Sequence, residues 1–439
     1  MNLAYRFPII YWNCACLITD SGGAEYNEDE VKTTNYDKIA TAIGKMRNLG
    51  INVSLPDINN SSYTFKPDEA NNKILYGLRG ITNVGDALVN NIMENRPYKS
   101  IKEFYYRIKP NKQAMVSLIK SGAFDELWDR KKNMAWYIWN TCDKKTRLTL
   151  QNMGSFIKYD MLPKENEEQV MAKRVYEFNR YLKSKCKANS TTYKVDERAI
   201  NFLNELGVYD KLVSDNNLMS ASGWDKVYQK WMDIFREWLN GNKEQLLDKL
   251  NSIIFMDDWK KYAEGNMSKW EMYSLGFYYH DHELINVNRI KYGIRDFNNL
   301  PEEPIVEKTF TKGNKVINMY KLTKICGTCI AKNKAKGSVT LLTTTGVVNV
   351  RFRKEYFSIY DKQISKINGD GTKTVLEKSW FNKGNMIMVM GIRSGDDFIV
   401  KKYASSIGEQ LYRIDEIKDN GLLVLRHERI SGGIAEDVD

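Results

Sequence analysis

The residues best suited to bind a ligand lie at the turn Asn83-Val84-Gly85, in the stretch 74–96. Apolar residues at helical spacing flank this turn, which predicts two short helices joined by a tight corner. The second helix would begin with backbone N–H groups that have no partner in the helix, and such groups bind phosphate. Gly85 has no Cβ to block a phosphate, and Asn83 tolerates a positive φ. The pattern predicts a DNA-binding helix-hairpin-helix, although a helical turn in a protein core would share it.

A second set of candidate residues lies in the C-terminal third, where β-branched runs predict strands at 320–333, 337–344, 347–352, 386–393 and 397–402. With a helix at 355–367, this is the element order of an OB-fold, a small closed barrel. Its basic and aromatic residues predict binding of single-stranded DNA through backbone attraction and base stacking. They are Lys332, Lys334, Lys336, Arg351, Phe352, Arg353 and Lys354, beside Tyr356 and Phe357. A barrel that serves as a spacer or protein adaptor is the alternative.

Other residue types that carry chemistry form no recognisable site. Cys326 and Cys329 have the spacing of half a zinc site, but two more ligands would be needed, and a strand-like run surrounds them. We therefore interpret them as buried thiols. The body of the chain has no Asp-x-Asp motif, and we interpret the adjacent pairs 257–258 and 396–397 as surface residues, since their side chains diverge. We expect no catalytic residue and no metal site in this chain.

The overall charge favours a polyanionic partner. The chain has 439 residues, enough for about three domains, and a net charge of +11. A basic excess is typical of nucleic-acid binding, although charge can also serve solubility. The apolar stretch 1–19 is interrupted by Arg6 and Pro8, so it is neither a signal peptide nor a membrane span, and we interpret it as a buried helix. The region 128–268 has the apolar periodicity of a helical bundle.

Several segments resemble, in the same order, the bacterial family C replicative DNA polymerases, the alpha subunit of DNA polymerase III. They read LAYRFPIIYWNCACLIT, DKIATAIGKMRNLGINVSLPDIN, YGLRGITNVGDALVNNIM, LIKSGAFDEL and EMYSLGFYYHDHEL. The first is similar to the end of the fingers, the third to the family's hairpin, and the last to the segment that leads into its OB-fold. The resemblance covers most of the chain except about 128–268.

The resemblance implies a function and partners. The chain would be the DNA-binding C-terminal part of such a polymerase, holding primer-template and single-stranded template in bacterial or phage-infected cytoplasm. The family's palm, whose carboxylates hold Mg²⁺, would lie on another polypeptide, so the start at Met1 suggests either a split gene or a shortened piece of a longer chain. Relatives also carry a sliding-clamp peptide, for which Gln151 and Phe156 are candidates. A free-standing DNA-binding accessory and a protein-assembly module are the alternative functions.

We therefore predict an α+β, multi-domain chain, mostly helical over its N-terminal two-thirds and ending in a five-stranded OB-fold. The predicted divisions are 1–70, the end of a fingers-like region; 71–130, the helix-hairpin-helix; 131–268, helical; 269–304, a connection; 305–404, the OB-fold; and 405–439, strands and a tail.

Overall fold

The protein is described from a computed structural model, which covers residues 8–20, 36–48, 50–162, 164, 166–313, 315–367, 373–430 and 434–436. The chain forms two compact units. The first, here called the hairpin–barrel unit, combines 1–135 with 265–439, and the second, the helical unit, spans 136–264. Within the described ranges, no helix is both long and apolar enough to cross a membrane.

The hairpin–barrel unit begins with helices and short strands. They are α1 (Ile9–Asp20), α2 (Tyr36–Asn48), β1 (Asn52–Val53), β2 (Lys66–Asp68), β3 (Lys73–Leu75), α3 (Asp86–Glu94), α4 (Ile101–Ile108) and α5 (Lys112–Lys120). The next helix, α6 (Arg130–Thr141), begins in this unit and ends in the helical unit. The α1 and α2 helices pack together, and α1 buries Ile10, Cys14 and Leu17, spaced one turn apart. The predicted N-terminal helix is therefore present from Ile9, while 1–7 lie outside the described residues. It is amphipathic rather than buried all round, because Trp12 is 70% exposed.

The helical unit is a bundle with one small sheet. Its elements are α7 (Met153–Lys158), α8 (Glu167–Tyr181), β4 (Thr192–Lys194), α9 (Glu197–Glu205), α10 (Tyr209–Leu212), β5 (Val213–Ser214), β6 (Leu218–Ser220), α11 (Ala221–Gly241) and α12 (Lys243–Tyr262). The α8 and α11 helices pack together, and the buried Trp224 indole donates to Asn179 Oδ1 over 3.1 Å. The three-stranded sheet, ordered β4-β6-β5, was not predicted, because strands of two or three residues carry no periodic signal.

The chain then returns to the hairpin–barrel unit and builds a closed barrel. The elements are α13 (Met267–Leu275), α14 (Arg289–Tyr292), β7 (Val306–Lys312), β8 (Lys315–Tyr320), β9 (Thr323–Asn333), β10 (Ser338–Thr343), β11 (Gly346–Arg351), α15 (Lys354–Asp361), β12 (Gln363–Ile367), β13 (Lys373–Glu377), β14 (Met386–Ser394), β15 (Asp397–Val400), β16 (Leu411–Ile417), β17 (Leu423–Arg426) and β18 (Ile434–Glu436).

The barrel has the strand order of an OB-fold. The β9, β10 and β11 strands form an antiparallel meander, β15 pairs in parallel with β11, and β14 closes the ring against β9 and β15. Inward-facing residues such as Val339, Val350 and Phe398 fill the core. The predicted fold class is confirmed, with one boundary corrected. The helix after β11 ends at Asp361, and 363–367 is a strand because it pairs with β13 and β18.

Several elements surround the barrel. The β7 and β8 strands form a separate two-stranded ribbon, and β16 and β17 extend the barrel sheet beyond β14. The α2 helix packs against β9, β10 and β11, with Gly44 beside Val347. This helix therefore covers part of the outer surface of strands two and three, which reduces the area that the barrel offers to a ligand.

Candidate nucleic-acid interface

The predicted hairpin turn has the expected backbone. A single 3₁₀ turn, Leu78–Gly80, precedes the turn, and the Val84 N–H donates to the Ile81 carbonyl over 3.1 Å. Asn83 adopts φ +64°, so asparagine occupies the left-handed position, as its conformational tolerance predicted. The first arm is a strand followed by this single turn, rather than the α-helix that the apolar spacing indicated, because β3 pairs with β1 and β2.

Gly85 keeps the start of α3 open. Its φ of −90° and ψ of 170° are allowed for any residue, and a Cβ built there meets no atom within 4 Å. The fold itself does not require glycine at this position. Gly85 is the N-cap residue of α3 and has no side chain to cap it, so the amides of the first turn are available to an external acceptor. This geometry suits a ligand whose oxygens come close to the backbone.

An acidic residue at the start of α3 is neutralised locally. Asp86 forms an ion pair with Arg79 and accepts a hydrogen bond from the Tyr63 hydroxyl. The hydrogen bond from Tyr63 and the charge of Arg79 lower the pKa of Asp86, so the carboxylate stays ionised and paired. Its repulsion of a phosphate is thereby reduced.

The α13 helix, 190 residues away in sequence, supports the turn. The Thr82 N–H donates to the Ser274 carbonyl over 2.9 Å, and the Thr82 hydroxyl donates to the Tyr273 carbonyl. The Asn83 amide group lies 3.1 Å from Ser117 Oγ and 3.4 Å from the Tyr273 hydroxyl. Sequence reasoning missed this support, because no local pattern in 267–275 indicates which distant turn it contacts.

A buried charge network holds the turn 121–127 between α5 and α6, here called the second turn. Gly122 adopts φ +84°, and a Cβ there would lie 2.4 Å from Arg130 Nη2. Arg130 binds Asp125 at 2.5 Å and Glu271 at 3.0 Å, and both Arg130 and Glu271 are at most 2% exposed. Glu271 also accepts the N–H groups of Tyr279 and His280. The network ties α6 and the second turn to α13 and to the segment that leads toward the barrel.

The predicted basic residues of the barrel fall into two groups. Lys332 pairs with the buried Asp361 at 2.6 Å, and Arg351 pairs with Asp397 at 2.6 Å, so barrel residues already compensate these charges. The other four are exposed and form no ion pair within the described part of the chain; they are Lys334, Lys336, Arg353 and Lys354. These four lie around the β9–β10 turn and the start of α15.

The position of Phe352 argues against its predicted role in base stacking. Its ring lies in the barrel core, 5.0 Å from the Phe381 ring, and Phe357 lies in the same core. Neither ring has a face for a base, because alternation along β11 turns position 352 inward after the outward Arg351. Tyr356 is 41% exposed and is the aromatic residue of α15 that remains available.

Sequence reasoning also missed Lys401, which directly follows β15. Its ammonium lies 4.7 Å from the centre of the Tyr320 ring. Partial burial and the charge of Arg353 lower the pKa of Lys401. Lys401 therefore adds a positive charge that Arg353 influences at this end of the barrel.

The clamp-binding candidate lies in the helical unit. Gln151 is exposed in the 3₁₀ turn Leu150–Asn152, whereas Phe156 is fully buried among the aromatic residues of α11. In this conformation Phe156 offers no surface to a clamp, so docking would require the segment to leave its core. Clamp binding by Gln151 and Phe156 stays a prediction.

The cysteine and carboxylate pairs behave as ordinary structural residues. Cys326 and Cys329 are buried, as predicted, and burial raises the pKa of Cys326 to about 12. Asp257 is exposed and accepts from the Tyr159 hydroxyl, while Asp397 holds Arg351. The sequence contains one Asp-x-Asp spacing, at Asp437 and Asp439 in the C-terminal tail, outside the described residues.

Comparisons with known proteins find a helix-hairpin-helix motif and DNA polymerases among the sequences similar to this chain. The family model described as a helix-hairpin-helix motif matches residues 50–134. A probable DNA polymerase, YorL, of Bacillus subtilis (strain 168) is 38% identical over 446 residues, which is 98% of this chain and 34% of that protein. A DNA-directed DNA polymerase of Bacillus phage SPbeta matches equally. The DNA polymerase III subunit alpha of Thermus aquaticus is 38% identical over 112 residues, 24% of this chain and 9% of that protein.

The chain thus spans about one third of the length of the first two relatives. The resemblance to DNA polymerase III alpha subunits that the sequence motifs indicated is confirmed.

Proposed function

We propose that this chain is the DNA-binding part of a replicative polymerase related to the DNA polymerase III alpha subunit. The observation that carries the proposal is the similarity along 98% of the chain to one third of a DNA polymerase. In this role the chain positions primer-template and single-stranded template, while the palm that joins nucleotides lies outside this sequence.

The hairpin would hold the backbone of the duplex. Its supports are the left-handed Asn83, the open position at Gly85 and the uncapped start of α3. Backbone amides and a helix dipole attract phosphate oxygens without reading bases. Binding should therefore show no sequence preference and should weaken as salt increases, because neutralised phosphates release counterions.

The barrel would hold the single-stranded template mainly through its phosphates. The exposed cations Lys334, Lys336, Arg353 and Lys354 lie on one end of the barrel, near Lys401. With Phe352 and Phe357 in the core, stacking is limited to Tyr356 among the aromatic residues first considered. This arrangement favours backbone attraction over base stacking, and it suits a strand of any sequence.

The chemistry of nucleotide addition would require residues from elsewhere. Polymerases stabilise the developing charge with carboxylates that hold two Mg²⁺ ions about 4 Å apart. Within the described residues, no group of three or more acidic, histidine or cysteine side chains could hold a metal ion. The partner in this proposal is therefore a polypeptide, or a further segment of a longer chain, that carries the palm and its Mg²⁺.

A primer-extension assay with three samples tests the proposal. The samples are this chain alone, the palm polypeptide alone, and both together. We expect no extension by this chain at any Mg²⁺ concentration, and more extension by the mixture than by the palm alone, most visibly on long templates. Extension by the chain alone would reveal an active site within it. An unchanged yield in the mixture would favour a free-standing DNA-binding accessory, and absence of DNA binding would favour an assembly module.

A further inference from the structure

Lys120, at the end of α5, is a buried lysine close to the hairpin turn. Only 9% of its surface is exposed, and its ammonium lies 4.5 Å from the centre of the Tyr273 ring. The Lys120 side chain forms no ion pair among the described residues. A buried ammonium normally has a carboxylate partner, because desolvation disfavours the charge. Lys120 therefore needs a separate explanation.

The charged groups around Lys120 do not neutralise it. They come from α6, α13 and the second turn, and are Arg130, Lys269, Glu271 and Asp125. Arg130 donates to the Lys120 carbonyl and pairs with both Asp125 and Glu271. The titratable Tyr273 faces the ammonium with its ring, and Lys269 adds a second positive charge. The ammonium is thus left with a polarisable ring and a like charge.

Lys120 is also linked to the hairpin turn through two neighbouring residues. Asn83 contacts Ser117, one turn before Lys120 on α5, and the hydroxyl of the Tyr273 ring on which Lys120 lies. Tyr273 is 45% exposed, and Asn83 is exposed at the turn. Ser117 and Tyr273 therefore link the buried cation to Asn83, which lies two residues before the Gly85 N-cap of α3.

We propose that Lys120 is a phosphate-binding residue of the hairpin, which supplies the counter-charge to a DNA backbone phosphate held beside Asn83 and the first turn of α3. The inference rests on the proposed function, since the ligand is the phosphodiester of bound DNA. It adds a residue from outside the turn motif, and it explains why a buried lysine has no acidic partner among the described residues of the free protein.

The proposal has a direct consequence for pH. Burial, together with the charge of Lys269, lowers the pKa of Lys120 to about 8. An adjacent phosphate favours the charged amine, so DNA binding should raise this pKa and take up a proton. As pH rises from 7 to 9, the charged fraction of Lys120 in the free protein falls about tenfold, and DNA affinity should fall by up to about tenfold.

The test is fluorescence anisotropy with a labelled primer-template duplex at constant ionic strength, from pH 6.5 to 9.5. Lys120→Met should bind several-fold more weakly at pH 7 and should lose most of the dependence on pH. Lys120→Arg should bind well at both ends of the range, because a guanidinium stays charged. The control variant Lys102→Met removes an exposed lysine of α4 and should keep the pH dependence of the original chain.

The outcomes separate the two proposals. If the original chain binds DNA and Lys120→Met shows the same affinity and the same pH dependence, Lys120 is not a phosphate ligand, although the proposed function stands. If the original chain binds no duplex at low salt at any pH, the proposed function fails first. Thermal unfolding of each variant without DNA shows whether the fold is kept, and Lys120→Arg retains the test if the methionine variant unfolds.

Discussion

Replacing Gly85 with valine should weaken binding of duplex DNA and leave the fold of the free protein intact. Valine adopts the φ of −90° and ψ of 170° found at Gly85, and the new Cβ meets nothing within 4 Å. A poorer N-cap residue destabilises a helix by about 1 kcal/mol, and lower entropy of the unfolded chain offsets about 0.4–1 kcal/mol of that. The free energy of unfolding should therefore change by less than about 1 kcal/mol.

The expected loss of DNA affinity follows from the same geometry. The valine side chain would occupy the space from which a phosphate reaches the first-turn amides of α3. A hydrogen bond to a charged group contributes about 1.5–3 kcal/mol, so losing one such bond corresponds to about a ten- to 150-fold weaker complex. Single-stranded DNA held at the barrel should be affected much less.

The assay is anisotropy with a labelled duplex and a labelled single strand at one fixed salt concentration, because phosphate contacts depend on salt. The matched control is Gly241→Val at the end of α11, where a Cβ also meets nothing within 4 Å. Duplex affinity within twofold of the original chain would refute the role of Gly85. Equal losses of affinity for duplex and single-stranded DNA would show that the hairpin and the barrel do not bind these two forms separately.

Three further predictions concern the barrel, the charge network and the helical unit. Arg353→Ala combined with Lys354→Ala should lower single-strand affinity and reduce its salt-dependence slope by about 1.4, measured by titrations at several salt concentrations; an unchanged slope would exclude both residues from the interface. Glu271→Gln should lower the free energy of unfolding by about 3–5 kcal/mol in urea denaturation, because Arg130 stays buried with less compensation; a loss below about 1 kcal/mol would contradict this. Phe156→Ala should destabilise the protein by about 3–5 kcal/mol in the same measurement, and a near-neutral result would show that this segment is mobile enough to bind a partner.

The sequence by itself determined the type and order of the main elements. The Asn83 turn and the barrel strands were predicted correctly because they depend on local properties: the tolerance of asparagine for a positive φ, and β-branched runs separated by turn residues. Their order along the chain was enough to predict an OB-fold, since its topology follows from three strands, a helix and two strands. Short elements such as β4–β6, and the true end of α15, escaped because they carry too few residues for a periodic signal.

Only the tertiary structure decided which of the candidate residues can meet a ligand. Lys332 and Lys334 are two positions apart and look equivalent in sequence, yet Asp361 neutralises the first and leaves the second exposed. In the sequence Phe352 looks like a residue that stacks on bases, but in the structure its ring lies in the barrel core. In the sequence Lys120 looks like an ordinary lysine at a helix end. In the structure Tyr273 of α13, about 150 residues later in the chain, covers it. Burial and charge compensation depend on through-space neighbours, and a linear pattern does not contain those neighbours.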